Sequence, residues 1–267
     1  MDIKFGELYA ISEKGHRINN EDSLFPEPES AKNNQRLFMV CDGVGGSEKG
    51  EIASDLACQS LASYFSTFLE SSLNAKFMDK ALLYTEAKFE DYIRIHPESK
   101  GMATTLCLAH FCSNGVTIAH LGDSRVYQFR KGKILFKTED HTLVNTWLKM
   151  GSITPEEAAV HPQRNVITRA IVDTENHVQA DLSFIQDILP GDYIFLCSDG
   201  VLESFSDEEL SQLFEECTSS AQLKNKILKK CERHSRDNFS YYIIPIRKTD
   251  DSSNLQQNLV SFFYSLI

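Results

Sequence analysis

Five acidic residues sit where a chain turns or a strand stops. Asp42 follows the apolar run Leu37-Phe38-Met39-Val40-Cys41 and precedes Gly43; Asp199 follows Phe195-Leu196-Cys197-Ser198 and precedes Gly200. Asp123 ends another apolar run, in His120-Leu121-Gly122-Asp123-Ser124-Arg125. Asp237 comes just before a run, in Arg236-Asp237-Asn238-Phe239-Ser240, and Glu21-Asp22 closes Arg17-Ile18-Asn19-Asn20. Taken alone, an Asp-Gly after a strand is most often a turn. Several apolar strands ending in Asp at one sheet edge would be a different matter. If the tips converge, each like-charged pair at 4 Å costs about 4 kcal/mol at an effective dielectric near 20. Such a cluster protonates or binds cations. Oxygen donors without Cys or clustered His select a hard ion, Mg²⁺ or Mn²⁺, over zinc.

The elements that must carry these acids read as blocks of strands and helices. The run 37–41 reads as a buried strand, and apolar positions Ile52, Leu56, Leu61, Phe65, Phe68 and Leu69 predict a helix over 48–70. A second helix over 75–95 ends at His96-Pro97. Strands are expected at 104–111 and 116–121, joined by Ser113-Asn114-Gly115, and at 126–129 and 134–136, joined by Arg130-Lys131-Gly132-Lys133. Further strands are expected at 193–197 and 241–246, with helices between them at 206–217 and 220–234. Hairpin follows hairpin instead of alternating with helices. That pattern favours antiparallel sheets with helices packed outside, an α+β layered domain, over a doubly wound nucleotide fold. Gly43-Val44-Gly45-Gly46 lacks both the spaced third glycine and the Gly-Lys-Ser/Thr of phosphate-cradling loops.

Composition narrows the partners. The chain of 267 residues carries 27 Lys and Arg against 38 Asp and Glu, a net charge of −11. That excess argues against nucleic acid or an anionic membrane as main partner. No apolar run is long enough for a transmembrane helix, and Met1-Asp2-Ile3-Lys4 does not open a signal peptide. Seven cysteines with no C-x-x-C pair argue against a zinc or disulfide framework, and a cytoplasmic location is the simplest fit.

The ordered set Arg17…Asn20-Glu21-Asp22-Ser23, Asp42-Gly43-Val44-Gly45-Gly46, Thr104-Thr105-Leu106, Gly122-Asp123-Ser124-Arg125, Ser198-Asp199-Gly200 and Asp237-Asn238-Phe239-Ser240 resembles the metal-dependent PP2C-type (PPM) protein serine/threonine phosphatases of bacterial style. The resemblance runs from about residue 5 to 247. It implies a four-layer α-β-β-α sandwich with two central antiparallel β-sheets, as one domain over 1–249. Asp140-His141 through Arg169-Ala170 looks like the family's flap, about 138–170. The tail 250–267, ending in Leu259-Val260-Ser261-Phe262-Phe263-Tyr264-Ser265-Leu266-Ile267, has no family counterpart and is expected to tuck onto the body as a last helix.

The resemblance also implies roles. Asp42 bridges two divalent cations, Mn²⁺ or Mg²⁺; Asp199 and Asp237 hold the first. The Gly43 carbonyl ligates the second, with Glu21 there directly or through water. Asp123 joins Asp199 at a third, weaker site, and Arg17 grips the substrate phosphate. The implied reaction is hydrolysis of phosphoserine and phosphothreonine on proteins by a hydroxide held between the two cations. The partners implied are phosphorylated proteins, including Ser/Thr kinases and their substrates, and nothing demands more than a monomer. The alternatives are a non-catalytic member of the same fold or a switch acting on a single regulator. Val44 stands where many relatives carry a histidine that donates the leaving-group proton. His141 is tempting as a substitute, although a polar-loop histidine is more often structural than catalytic.

Overall fold

The computed structural model describes residues 2–31, 34–44, 49–68 and 73–250. Two antiparallel sheets lie face to face. In chain order the strands of the first sheet are β1 (Asp2–Phe5), β2 (Tyr9–Glu13), β8 (Arg125–Arg130), β9 (Lys133–Lys137), β11 (Asp192–Cys197) and β12 (Phe239–Asp250). They run in the order β1-β12-β11-β8-β9, with β2 also paired to β12. The second sheet holds β3 (Asp22–Phe25), β4 (Leu37–Val44), β5 (Ala103–Thr104), β6 (Leu106–Cys112), β7 (Gly115–Leu121) and β10 (Asp181–Ile185). Its order is β10-β7-β6-β4-β3, with β5 added beside β4.

Both faces of the central strands are apolar because both are covered. In β4, Phe38 and Val40 point between the sheets, where they meet Ala109, Phe111, Ile194, Leu196, Tyr242 and Ile244. Met39 and Cys41 point outward against Ala53, Ala57, Leu61 and Phe65 of α1 (Gly50–Phe68) and Met78, Leu82 and Phe89 of α2 (Ala75–Ile95). On the other side Phe129, Phe195, Tyr241 and Ile243 pack on α5 (Asp199–Leu202), α6 (Asp207–Glu216) and α7 (Ser220–His234). The result is α-β-β-α. Phe38, Phe129 and Phe195 have no exposed surface, and each such side chain contributes about 1.5–3 kcal/mol on burial.

Local signals set the helix limits. Asn74 caps α2 by accepting from the Phe77 N–H at 2.9 Å, and the helix stops before Pro97. Ser206 and Glu209 form a reciprocal capping box at the start of α6. The expected helices at 75–95, 206–217 and 220–234 thus lie where periodicity places them. Two short helices, α3 (Leu143–Lys149) and α4 (Pro155–Ala159), lie in the segment 138–170, which a bridge between Thr142 and Ile167 closes. The expected C-terminal helix lies outside the described residues. All seven cysteines are free. No described helix is long and apolar enough to cross a membrane.

One local expectation is corrected. Asp42-Gly43 is not a turn after a strand; β4 runs on to Val44. Gly43 and Val44 pair with Thr104 and Ala103 of β5, so the backbone has ladder partners beyond Asp42. Asp199, by contrast, opens α5, and Asp123 lies in the turn between β7 and β8.

Candidate metal centre

The acids gather where β4, the β7–β8 turn, the β11–α5 junction and the start of β12 meet. Register brings in the first pair: Asp22 of β3 lies directly across from Asp42 of β4. Backbone clamps then fix Asp42. Its N–H donates to the Thr105 hydroxyl at 3.0 Å, and its carbonyl accepts from the Thr105 N–H at 2.8 Å and the Thr104 hydroxyl at 2.9 Å. Thr105 is itself paired with the Ser124 hydroxyl at 2.8 Å, so the Asp42 and Asp123 backbones are tied together. Gly122 takes φ +98°, and a Cβ there would fall 2.5 Å from the Thr105 methyl, which restricts the position to glycine.

Asp42, Asp123, Asp199 and Asp237 are half-buried, keeping an edge toward solvent, while Asp22 is buried. Each feels the others. Burial, then Asp22, Asp199 and Asp123, push the Asp42 carboxyl well above its ordinary range. Burial, Asp123 and Asp237 do the same to Asp199, which stands within hydrogen-bond reach of Asp42. Asp123 is pushed up to about 6, by burial and then Asp140. Asp22 is pushed up to about 7 by burial, against the stabilising hydroxyl of Ser198, which donates to its Oδ2 at 2.7 Å. Its Oδ1 is buried without a partner among the described residues. Converging carboxylates with raised proton affinity, each shielded from water, are groups short of positive charge.

A second cradle lies on the other side of Asp42. The Gly43 N–H donates to the Glu21 carbonyl at 2.9 Å. A Cβ added at Gly50 would meet the Glu21 carboxyl at 2.8–2.9 Å and the Gly43 carbonyl oxygen at 3.0 Å. A Cβ at Gly43 would fall 2.1 Å from the Gly50 carbonyl. The paired glycines let the start of α1 approach β4, and that approach brings a carboxylate and a carbonyl oxygen to one point. Burial raises the Glu21 proton affinity, with nearby Arg17 opposing.

Among the described residues no three Asp, Glu, His or Cys side chains close into a ready ligand set. The donor chemistry still fits a hard divalent cation. Mg²⁺ keeps several waters and needs only one or two protein carboxylates. Asp42 with Asp199, and Glu21 with the Gly43 carbonyl, provide such oxygen-only pairs.

Arg17 stands at the mouth, with its side chain 52% exposed, and donates to Asp237 Oδ2 at 2.6 Å. Asn238 holds the loop that carries Arg17 and Glu21. It accepts from the Glu21 N–H at 2.9 Å and donates to the carbonyls of Lys14 and Asn19 at 2.9 and 2.8 Å. Sequence reasoning missed Asn238 as a positioning residue, and it missed Asp22. Both sit beside residues it named, and adjacency was the only signal.

His141 is a structural tie. Its Nδ1 accepts from the Gly122 N–H at 3.2 Å, and its Nε2 lies 3.1 Å from Asp181 and 2.9 Å from the Arg169 guanidinium. Arg169 reaches the same Asp181 at 2.7 Å. Burial, together with Arg169, lowers the proton affinity of His141. Both ring nitrogens are engaged in joining the segment around Thr142 to the Asp123 turn.

Known proteins give the arrangement its relatives. The protein phosphatase 2C family profile matches residues 13–231. The chain is 37% identical over 194 residues to the serine/threonine protein phosphatase PstP of Mycobacterium tuberculosis, covering 73% of this chain but 36% of PstP. It therefore spans little more than a third of that relative. It is 32% identical over 203 residues to the serine/threonine phosphatase Stp of Listeria monocytogenes, covering 74% of this chain and 78% of that one. Among solved structures, M. tuberculosis PstP superposes with a TM-score of 0.79 at 32% identity, covering 92% of this chain and 100% of that one. The PstP catalytic domain in complex with two manganese ions gives 0.76 at 30%, covering 92% and 100%. The strand-borne acids, the arginine at their mouth and a sandwich shared with these enzymes agree: the chain belongs to the protein phosphatase 2C family.

Proposed function

We propose that the chain hydrolyses phosphoserine and phosphothreonine on proteins, using two divalent cations, Mn²⁺ or Mg²⁺. The observation that carries this reading is the meeting of Asp42, Asp199, Asp123 and Asp22 in one electrostatic field beside Arg17. Asp42 would hold both ions, with Asp199 and Asp237 at the first and Glu21 with the Gly43 carbonyl at the second. Asp123 with Asp199 would hold a third ion more weakly. When bound, the ions supply Lewis-acid charge and make water nucleophilic near neutral pH.

The chain's own groups do the rest. Arg17 offers a planar fork of donors to the phosphoryl oxygens, a geometry that a lysine ammonium lacks. Its exposure lets it swing between Asp237 and an incoming phosphate. Thr104, Thr105 and Ser124 keep the Asp42 backbone from shifting as charge builds. With both His141 nitrogens engaged and Val44 in place of a histidine, the leaving oxygen takes its proton from water. The non-catalytic alternative finds no support in lost ligands, since every acid of the pattern is present. Residues 1–249 form the catalytic unit, which works as a cytoplasmic monomer on phosphorylated kinases and their substrates.

The test is turnover of a phosphothreonine peptide with Mn²⁺, with chelator, and in Asp42→Ala and Asp237→Ala. Activity is expected only with the metal and the intact acids. Metal-independent turnover, or unimpaired variants, overturns the reading.

A further inference from the structure

Next to Arg17 and Glu21 a cleft of about 690 Å³ opens, within the range of ligand-binding clefts. It holds much more than a phosphoryl group. Ile18, the neighbour of Arg17, is 93% exposed at one wall. Ile52 of α1 and Tyr92 of the last turn of α2 line it, both half-buried. Lys49 and Glu98 put opposite charges on its rim.

The walls are built, not incidental. The Tyr92 ring stacks on His96 with centroids 4.5 Å apart, which fixes its plane. Lys49 Nζ donates to the Lys100 carbonyl at 3.3 Å, joining the start of α1 to the turn beyond Glu98. A scattered apolar residue in water is ordinary, but these three share one concave surface continuous with Arg17 and Glu21. With charges of both signs on the rim, the cleft has no net preference for an acidic or a basic partner. What it offers is apolar surface.

We infer that this cleft reads the substrate chain itself: Ile18, Ile52 and Tyr92 receive a bulky apolar side chain lying within a few residues of the phosphorylated serine or threonine. The inference rests on the phosphatase reading, because Arg17 sets the phosphate end of the cleft. An apolar subsite of this kind discriminates by roughly 10–200-fold per methylene-scale mismatch.

The test compares phosphothreonine peptides of one sequence carrying Leu, Phe, Ala or Asp at each nearby position, with phenyl phosphate as a small ester that does not extend along the cleft. With Mn²⁺, the wild-type chain is expected to favour Leu or Phe over Ala by about tenfold in kcat/KM at one position. Ile18→Ser, at an exposed site, should abolish that preference and lower the peptide-to-ester ratio about tenfold; Tyr92→Ala should do the same. No apolar preference, a preference that survives both variants, or equal losses on peptide and ester in Ile18→Ser each overturns the inference. Turnover of phenyl phosphate by the wild-type chain reports the phosphatase reading separately, since it does not depend on the cleft.

Discussion

Two groups of aspartates lie in and around the same pair of sheets, and they are treated in opposite ways. Asp192, with no exposed surface, accepts from Arg130 at 2.7 and 2.9 Å, from Gln128 at 2.9 Å and from the Leu189 N–H at 2.9 Å. Asp140 takes a two-pronged contact from Arg125 at 2.6 and 2.7 Å. Asp207 accepts from Lys137 at 2.6 Å and the Tyr127 hydroxyl at 2.9 Å. Each brings its cation within the chain. Asp42 and Asp199 instead face each other, with Asp22 and Asp123 adding repulsion. Residue type alone does not separate a structural acid from a metal ligand. What separates them is whether the fold supplies the positive charge or leaves it to be supplied.

The largest test of that contrast is a pair of substitutions. Asp42→Asn removes one source of repulsion, so the chelated protein should melt at a higher temperature than wild type while activity falls about 10³-fold. Asp192→Ala should do the reverse. It leaves Arg130 and the Leu189 N–H without their buried partner, at a cost of about 3 kcal/mol, with turnover retained while the protein stays folded. Thermal unfolding in chelator and peptide assays with Mn²⁺ read both. Destabilisation by Asp42→Asn would erase the distinction.

Titration should separate the groups next. The folded-state proton affinities of Asp22 and Asp123, near 7 and 6, lie above the unfolded value of about 3.8. At these two carboxyls the folded state therefore binds more protons, so their contribution to chelated stability is lost as pH rises from about 4 through 7, against the opposite slope of the buried His110, His120 and His141, whose proton affinities are lowered. The loss should reach a few kcal/mol, at 1.36 kcal/mol per unit of difference. Denaturant melts of wild type and Asp22→Asn at pH 5 and pH 8 isolate the Asp22 part, and the variant should lose less stability than wild type between the two. The same difference between pH 5 and pH 8 in wild type and Asp22→Asn would contradict the raised affinity of Asp22.

Cation binding gives the third comparison. A cation that binds only the folded state adds about 2.7 kcal/mol at a concentration one hundred times its dissociation constant. Mn²⁺ should thus raise the melting temperature of wild type and of Asp192→Ala, and leave Asp42→Asn much less affected. Equal shifts in all three would place the ion elsewhere.

These contrasts also mark what sequence could convey. Phe38-Met39-Val40-Cys41 was legible as a strand because both of its faces are covered, and α2 was legible from its period and from Pro97. Strands β1 and β2 were not, since four or five residues each owe their place to β12, over two hundred positions away. Periodicity could not predict that β4 continues past Asp42, because β5 supplies the partner. The metal-ligand candidates were legible through the family pattern, one by one. Their counterparts were not: nothing local in Asp192 or Asp140 announces Arg130 or Arg125, which arrive from another strand. The cleft beside Arg17 was hidden for the same reason, since Ile18, Ile52 and Tyr92 meet only after α1 and α2 pack.

The smallest effect should come from Asp207, and it probes whether the two groups are independent. Asp207 is the first residue of α6, where the helix N-terminus favours negative charge. Burial raises its proton affinity, but Lys137 and Tyr127 outweigh burial and hold the carboxyl below its usual range. Its folded value is thus depressed, so its stabilisation is present above about pH 4 and is lost as pH falls through the folded value. Lys137 is 37% exposed and Asp207 28%, so solvent screens the pair. Asp207→Asn, which keeps the shape and removes the charge, should cost about 1 kcal/mol at pH 7, and less in high salt. Below the folded value, where both carry no charge at this position, the variant and wild type should converge. Because this acid already has its cation, the Mn²⁺-induced shift in melting temperature should be the same with and without it. A reduced Mn²⁺ shift in Asp207→Asn would mean that Arg125, which also donates to Asp207 at 3.3 Å, carries strain into the Asp123 turn, and that the internally paired and externally paired acids are one coupled system.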